Sequence, residues 1–217
     1  VGVSNVGGPT VLIDTMGSVL CYQDSTAFVK VVVSGGVMPY TYLWDDLSAN
    51  TTDSVGGLPQ GTYSLVVADA NACLTTIVVT ITEPAQLVAV ASGADPNCNG
   101  SCDGTAVASV AGGVMPYTYL WNDPMTQTTA SISALCAGSY AVTVTDNNEC
   151  LQSSQSSLTN PLDMILTMDS IEPSCAGNDG KAIVSVSNGT APYTYSWNDL
   201  AMQTNDTATG LVSGVYT

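Results

Sequence analysis

The sequence has no histidine and only two basic residues, Lys30 and Lys181, against 18 acidic ones, for a formal net charge of −16. Without His, the commonest general base and the commonest nitrogen ligand for metals are missing, so Ser-His-Asp and Cys-His chemistry are excluded. With two Lys and no Arg, phosphate neutralisation fails, which excludes nucleic acid as a partner and an anionic membrane as a resting place. Charge of either sign is scarce, at 9% of residues, where an ordinary globular domain has roughly 25%. No run approaches the roughly 18 consecutive apolar residues of a membrane helix, so no membrane insertion is expected. Neither an initiator Met nor a signal peptide is present, and the chain reads as an internal stretch of something longer.

What is there is 45% hydrophobic, and the polar remainder is mostly Ser, Thr, Asn and Gly. This suits a Thr-rich extracellular β-protein. It also suits surfaces covered by neighbours, as in a lateral homo-oligomer that forms a filament.

The sequence repeats itself. GGVMPYTYLW stands at 35–44 and again at 112–121, with NGTAPYTYSW at 188–197. Trp44, Trp121 and Trp197 are 77 and 76 residues apart, and Cys21, Cys98 and Cys175 are 77 and 77 apart. One unit of about 77 residues therefore recurs. The junctions ITEP (81–84) and LTNP (158–161) place boundaries near Gly7, Pro84 and Pro161. This gives the end of a preceding repeat at 1–7, full repeats at 8–83 and 84–160, and an incomplete third at 161–217. A Greek-key unit lacking its last strands is not expected to be stable alone, so further residues are expected after Thr217.

Strand signals dominate each unit. VAVAS, TAVASV, PYTYLW, TASIS, SYAVTVT and TTIVVTI are short, β-branched and alternating, and Gly, Asn, Asp and Pro clusters separate them. Six or seven short strands per unit predict an all-β chain of tandem Ig-like antiparallel β-sandwich repeats. Gly35-Gly36 permits a tight turn, and Pro39 begins a strand where no ladder donor is needed. Tyr40, Tyr42 and Trp44 then share one face. Trp44, Trp121 and Trp197 sit where sandwiches bury a large aromatic. The alternative is an aromatic stripe that stacks on sugar. LPQGTY, LCAGSY and LVSGVY place Tyr63, Tyr140 and Tyr216 at a tyrosine corner, as structural residues.

Together, C-x-G (98–100 and 175–177), GG-x-x-PYTY-x-W, L-x-x-G-x-Y, V-x-D-x-N-x-C (67–73 and 144–150) and ITEP resemble the SprB repeat of Bacteroidota surface adhesins. The resemblance covers nearly the whole chain. CYQ at Cys21 departs from C-x-G, and Ala72 and Glu149 stand where a Gly is usual. The resemblance implies very long secreted proteins, exported by the type IX system, displayed on the cell surface and used in gliding, attachment or capture. It also implies sandwiches like those of polycystic-kidney-disease-type domains. It implies no catalysis and no cofactor.

Seven cysteines without His argue for disulfides rather than zinc. Cys102 and Cys136 occur together in the second repeat, and both are absent from the first and third, which makes them partners. Cys21, Cys73, Cys98 and Cys150 flank their units and admit two schemes. One pairs Cys21 with Cys73 and Cys98 with Cys150 inside a repeat. An Ig-type topology puts those positions at opposite ends, about 20 Å apart, whereas a bridge needs Cα atoms within about 7 Å. The other scheme joins one repeat to the next, Cys21 with Cys150. Under either, the partner of Cys175 lies outside the chain.

Asp69 and Asp146 occupy F–G turns. They are either calcium ligands or, with no dense acidic loop around them, Asx-type turn residues. Five Asp-Ser/Thr triplets mark Thr15, Ser25, Ser54, Ser170 and Thr207 as O-glycan acceptors of the phylum's type. The Asn-x-Thr sequons at Asn50, Asn188 and Asn205 are discounted for a bacterial source. The expected role is a shaft of braced repeats in a large surface adhesin or extracellular filament, with neighbouring repeats as first partners. An array of carbohydrate-binding modules is the alternative, and the surface or glycan ligand is not specified by the sequence.

Overall fold

The structure, a computed structural model, describes residues 7–175 and 177–217. The fragment at 1–7 assigned to a preceding repeat lies outside the described residues except for Gly7, as does Ala176 of the third C-x-G. The described chain is all-β. The first repeat holds β1 (Thr10–Gly17), β2 (Ala27–Ser34), β3 (Thr41–Trp44), β4 (Ser54–Leu58), β5 (Gly61–Ala68) and β6 (Leu74–Ile81). The second holds β7 (Val88–Ala94), β8 (Gly104–Ala111), β9 (Thr118–Trp121), β10 (Ser131–Leu135), β11 (Gly138–Thr145) and β12 (Leu151–Leu158). The third holds β13 (Ile165–Ile171), β14 (Gly180–Ser187) and β15 (Thr207–Leu211). The chain divides into two compact units. One comprises the residues up to Ala91 with Ala108–Ala130 and Ala141–Gln155, and the other comprises Ser92–Val107, Ser131–Tyr140 and Ser156–Thr217.

In the first repeat the strands form two antiparallel sheets, ordered β1-β2-β4 and β3-β5-β6. The period of two decides what each buries. In AFVKVVVS, Ala27, Val29 and Val31 point inward, while Phe28 and Val32 face out. Leu65 and Val67 of β5 and Val79 and Ile81 of β6 meet them from the other sheet, around Trp44. Full burial of such a side chain stabilises by roughly 1.5–3 kcal/mol each. The register sets Trp44 opposite Leu65 and Tyr42 opposite Val67, so the aromatic strand is fixed on the late strand of its own repeat.

The second repeat has the same two sheets, ordered β10-β8-β7 and β12-β11-β9. Ala106, Ala108, Trp121, Ile132, Leu135, Val142 and Val144 are buried. Among its described residues the third repeat has one sheet, β13-β14-β15, over a core of Ala182, Trp197, Ala208 and Leu211.

Two expectations for the aromatic strand need correction. It begins at Thr41 and Thr118, not at the proline. Pro39, Pro116 and Pro192 stand in the preceding turns, in cis peptide bonds. In the third repeat PYTYSW forms no strand. No counterpart of Leu65–Ala68 is among the described residues to pair with it; just beyond it the Asn198 amide donates to the Thr217 carbonyl at 3.0 Å, and Asn198 Oδ1 accepts from the Thr217 amide at 2.9 Å.

Candidate functional site at the repeat junction

The recurring aromatics are engaged with backbone. The indole Nε1–H of Trp44, Trp121 and Trp197 donates to the carbonyl eight residues on, at Thr52, Thr129 and Asn205 (3.0, 3.0 and 2.8 Å). The Tyr40, Tyr117 and Tyr193 hydroxyls donate to the first residue of the turn before them, at Gly35, Gly112 and Asn188 (2.6, 2.6 and 2.7 Å). Tyr63, Tyr140 and Tyr216 donate to Pro59, Cys136 and Val212 (3.1, 2.9 and 3.0 Å), which is tyrosine-corner geometry. All three Trp and Tyr140 are buried, while Tyr63 and Tyr216 are half-buried. Tyr22 is the most open tyrosine, at 42% exposure.

Asp69 and Asp146 shape the F–G turns. Asp69 Oδ1 accepts from the Asn71 and Cys73 amides (2.9 and 2.9 Å), and Oδ2 accepts from Val37 (3.0 Å). Asp146 does the same with Asn148, Cys150 and Val114 (2.8, 2.9 and 2.9 Å). Donation from the Cys73 amide is the main reason the Asp69 carboxyl is held below the usual carboxylate range. Among the described residues no group of three or more His, Cys, Asp or Glu could hold a metal ion. Each aspartate thus fastens its F–G turn to the GG-x-x-P turn beside it.

That pair of turns meets the preceding repeat. Gly112 has φ +68° and Gly113 +61°, a region that favours glycine. A Cβ on Gly112 would stand 1.9 Å from the Gln86 carbonyl oxygen, in the linker after Pro84. The Gly113 amide donates to Ala85 O at 2.9 Å. On the first repeat's side, Glu83 of ITEP accepts from the Gln23 amide at 2.7 Å and so holds the A–B loop against the linker. The F–G turn then closes the joint. Asn148 Nδ2 donates to Leu20 O at 2.8 Å, and Cys150 is bonded to Cys21 with Cα atoms 5.8 Å apart. GG-x-x-P, ITEP and D-x-N-x-C converge here. Sequence reasoning treated them separately and missed the roles of Asn148, Glu83 and the Gly112 approach.

The second bridge is Cys102–Cys136. The within-repeat scheme, Cys21–Cys73 and Cys98–Cys150, is not the one formed. Cys73 and Cys98, both expected in pairs, are free, as is Cys175. Cys98 and Cys175 stand in the register of Cys21, and Cys73 stands in that of Cys150, so the three free thiols are single halves of the same kind of joint. Thr15, Ser25, Ser54 and Ser170 are exposed and Thr207 is half-exposed. Among the described residues no helix is long and apolar enough to cross a membrane.

Comparison with known proteins gives one family. The SprB repeat matches three times, at residues 14–49, 91–126 and 169–202. Among curated proteins none matches. Solved structures similar to this chain carry immunoglobulin domains. One was determined for the basis of Dscam isoform specificity (11% identity, 72% of this chain and 46% of that one, TM-score 0.31). Another is DIP-gamma IG1+IG2 (13%, 71% and 98%, 0.37), and a third is an amphioxus IgVJ-C2 molecule (13%, 64% and 99%, 0.32). The chain spans about half the length of the Dscam chains, 46% and 47%.

Proposed function

We propose that this chain, in which the SprB repeat matches three times, is a length of shaft in a large secreted cell-surface adhesin or filament used in attachment, gliding or capture. SprB repeats are found in surface proteins, and Ig-like repeats of this kind are structural domains. The finer reading rests on one observation, the covalent joint between consecutive repeats at Cys21–Cys150. A binding module needs no such brace, whereas a part that carries load along its length gains from it. The repeats divide at Gly7, Pro84 and Pro161, each adds length, and the joint limits bending. No step of chemistry is assigned to any residue, and the work is mechanical. The two disulfides support an oxidising, extracellular setting, and type IX export from a member of the Bacteroidota is part of the same reading. O-glycans on Thr15, Ser25, Ser54, Ser170 and Thr207 are compatible with their exposure.

The outer sheet faces support a second layer of organisation. Leu12, Phe28, Val32, Leu43 and Val78 are each about half exposed or more, on a chain with little charge to keep neighbours apart. We assign these faces to lateral packing of like chains. Electron microscopy of the native surface material tests both layers. Ordered bundles of threads whose length follows repeat number are expected. Single threads would remove the lateral packing, and compact particles would remove the shaft.

A further inference from the structure

A cavity of about 340 Å³ lies beside Cys98, lined by Asn97, Cys98, Asp163, Gly189, Thr190 and Tyr193 among others. We propose that this is a docking seat for a turn of the D-x-N-x-C type, which it holds by an amide hydrogen bond and a disulfide to Cys98.

The filled version of the seat is present one repeat earlier. There the turn at 146–150 touches four positions. Asn148 bonds to Leu20 O, and Cys150 bonds to Cys21. Asp146 accepts from the Val114 amide and lies so close to Gly113 that a Cβ there would be 2.8 Å from its Oδ2. The counterparts of Leu20, Cys21, Gly113 and Val114 are Asn97, Cys98, Gly189 and Thr190, and all four line the cavity. The scaffold around it is likewise in place. Asn160, the counterpart of Glu83, accepts from the Gly100 amide at 3.3 Å, and Asn188 Nδ2 donates to Asp163 O at 3.1 Å. The Val37 and Val114 amides each meet an F–G carboxylate; the Thr190 amide meets none among the described residues. The seat therefore offers a carbonyl for an asparagine, an amide for an aspartate and a thiol for a cysteine, the same set of groups as the filled joint. The complementary half exists free on the first repeat, where Asp69, Asn71 and Cys73 hold the same turn. Closure joins two thiols, whose two hydrogens reduce a disulfide oxidant to two thiols.

This deepens the shaft reading, and its test stands apart from microscopy. The probe is a synthetic hairpin peptide of residues 142–153, its cysteine carried as a 2-pyridyl mixed disulfide, added to the intact 217-residue chain. The Cys98 thiolate attacks the peptide sulfur and expels 2-thiopyridone, so no other oxidant is needed. Rates at Cys73, Cys98 and Cys175 are read by mass spectrometry and divided by those for 2,2′-dipyridyl disulfide. Cys98 is expected to react about tenfold faster than Cys73, because docking raises the effective concentration of the two sulfurs. A peptide with Asn148→Ala should lose about fivefold of that preference, the worth of one hydrogen bond. Equal normalised rates at the three thiols would overturn the proposal, and so would a Cys98 preference unchanged by both Asn148→Ala and Asp146→Ala in the peptide.

Discussion

The first and second repeats share a strand plan and differ in what closes it. In the first, β6 reads LTTIVVTI and buries Val79 and Ile81. In the second, β12 reads LQSSQSSL and buries Leu158 alone. The positions of Ile77 and Val79 are taken by Ser154 and Ser156, and the Ser154 hydroxyl accepts from the Ala91 amide at 2.9 Å. The opposite sheet is also thinner, with Ala106 and Ala108 where the first repeat has Val29 and Val31. Two Val-to-Ala differences alone forfeit four methylene equivalents, about 3 kcal/mol. The second repeat is also the one with a disulfide of its own, Cys102–Cys136, across a sequence separation of 34. A loop of that size constrains the unfolded chain by about 3–4 kcal/mol. The bridge therefore offsets a poorer core, which explains its presence in this copy and its absence from the aliphatic one.

The largest expected effect follows from that exchange. Replacing Cys102 and Cys136 together with Ser should cost the second repeat about 3–4 kcal/mol and leave the first repeat's amide protection unchanged in hydrogen exchange. Equal loss of protection in both repeats would mean the bridge does not serve its own core. Val29→Ala carries the second repeat's smaller side chain into the first and should cost about 2 kcal/mol in denaturant unfolding of that repeat. A loss well under 1 kcal/mol would show that the aliphatic core is loosely packed there.

Much of this comparison is open to sequence reading. Trp44 and its copies stand out as core because the triplet recurs on one face. The Cys102–Cys136 pair is legible because both residues are absent from both other copies. Tyr63 and Tyr216 are harder, since a corner tyrosine spends its hydroxyl on the backbone and leaves its ring half open. The joint is the least legible part. Asn148 and Leu20 are 128 residues apart, and no periodicity inside one repeat reveals a contact between two. Gly112 looks like turn chemistry alone until the Gln86 carbonyl is seen beneath it.

Smaller effects sharpen the contrast further. Tyr140→Phe removes the hydroxyl that donates to Cys136 O at 2.9 Å and should cost about 1 kcal/mol, measured as a shift of the second repeat's unfolding midpoint. No shift would mean the corner is held by the disulfide alone. The smallest effect is in pH. In the second repeat the Asn97 amide donates to Asp103 Oδ1 (3.0 Å), and in the first the matching Leu20 amide donates to the Thr26 hydroxyl (2.9 Å). Donation from the Ser101 hydroxyl, then from Asn97, lowers the Asp103 carboxyl to about 2. A depressed carboxyl stabilises above its unfolded value of about 3.9 and loses that contribution as pH falls toward 2. The Asn97 amide resonance should therefore titrate in NMR with a midpoint near 2 while Leu20 stays flat. Titration of both would assign the acid response to something other than this aspartate.

The central claim is that consecutive repeats are covalently joined, and single-molecule pulling from the two ends tests it most directly. Cys21–Cys150 takes the chain between them out of the force path, a sequence separation of 129 residues. The account predicts that the oxidised chain releases less contour length by about 430–460 Å, at 3.3–3.6 Å per residue, and that reductant restores this length in full. The same released length with and without reductant would contradict it.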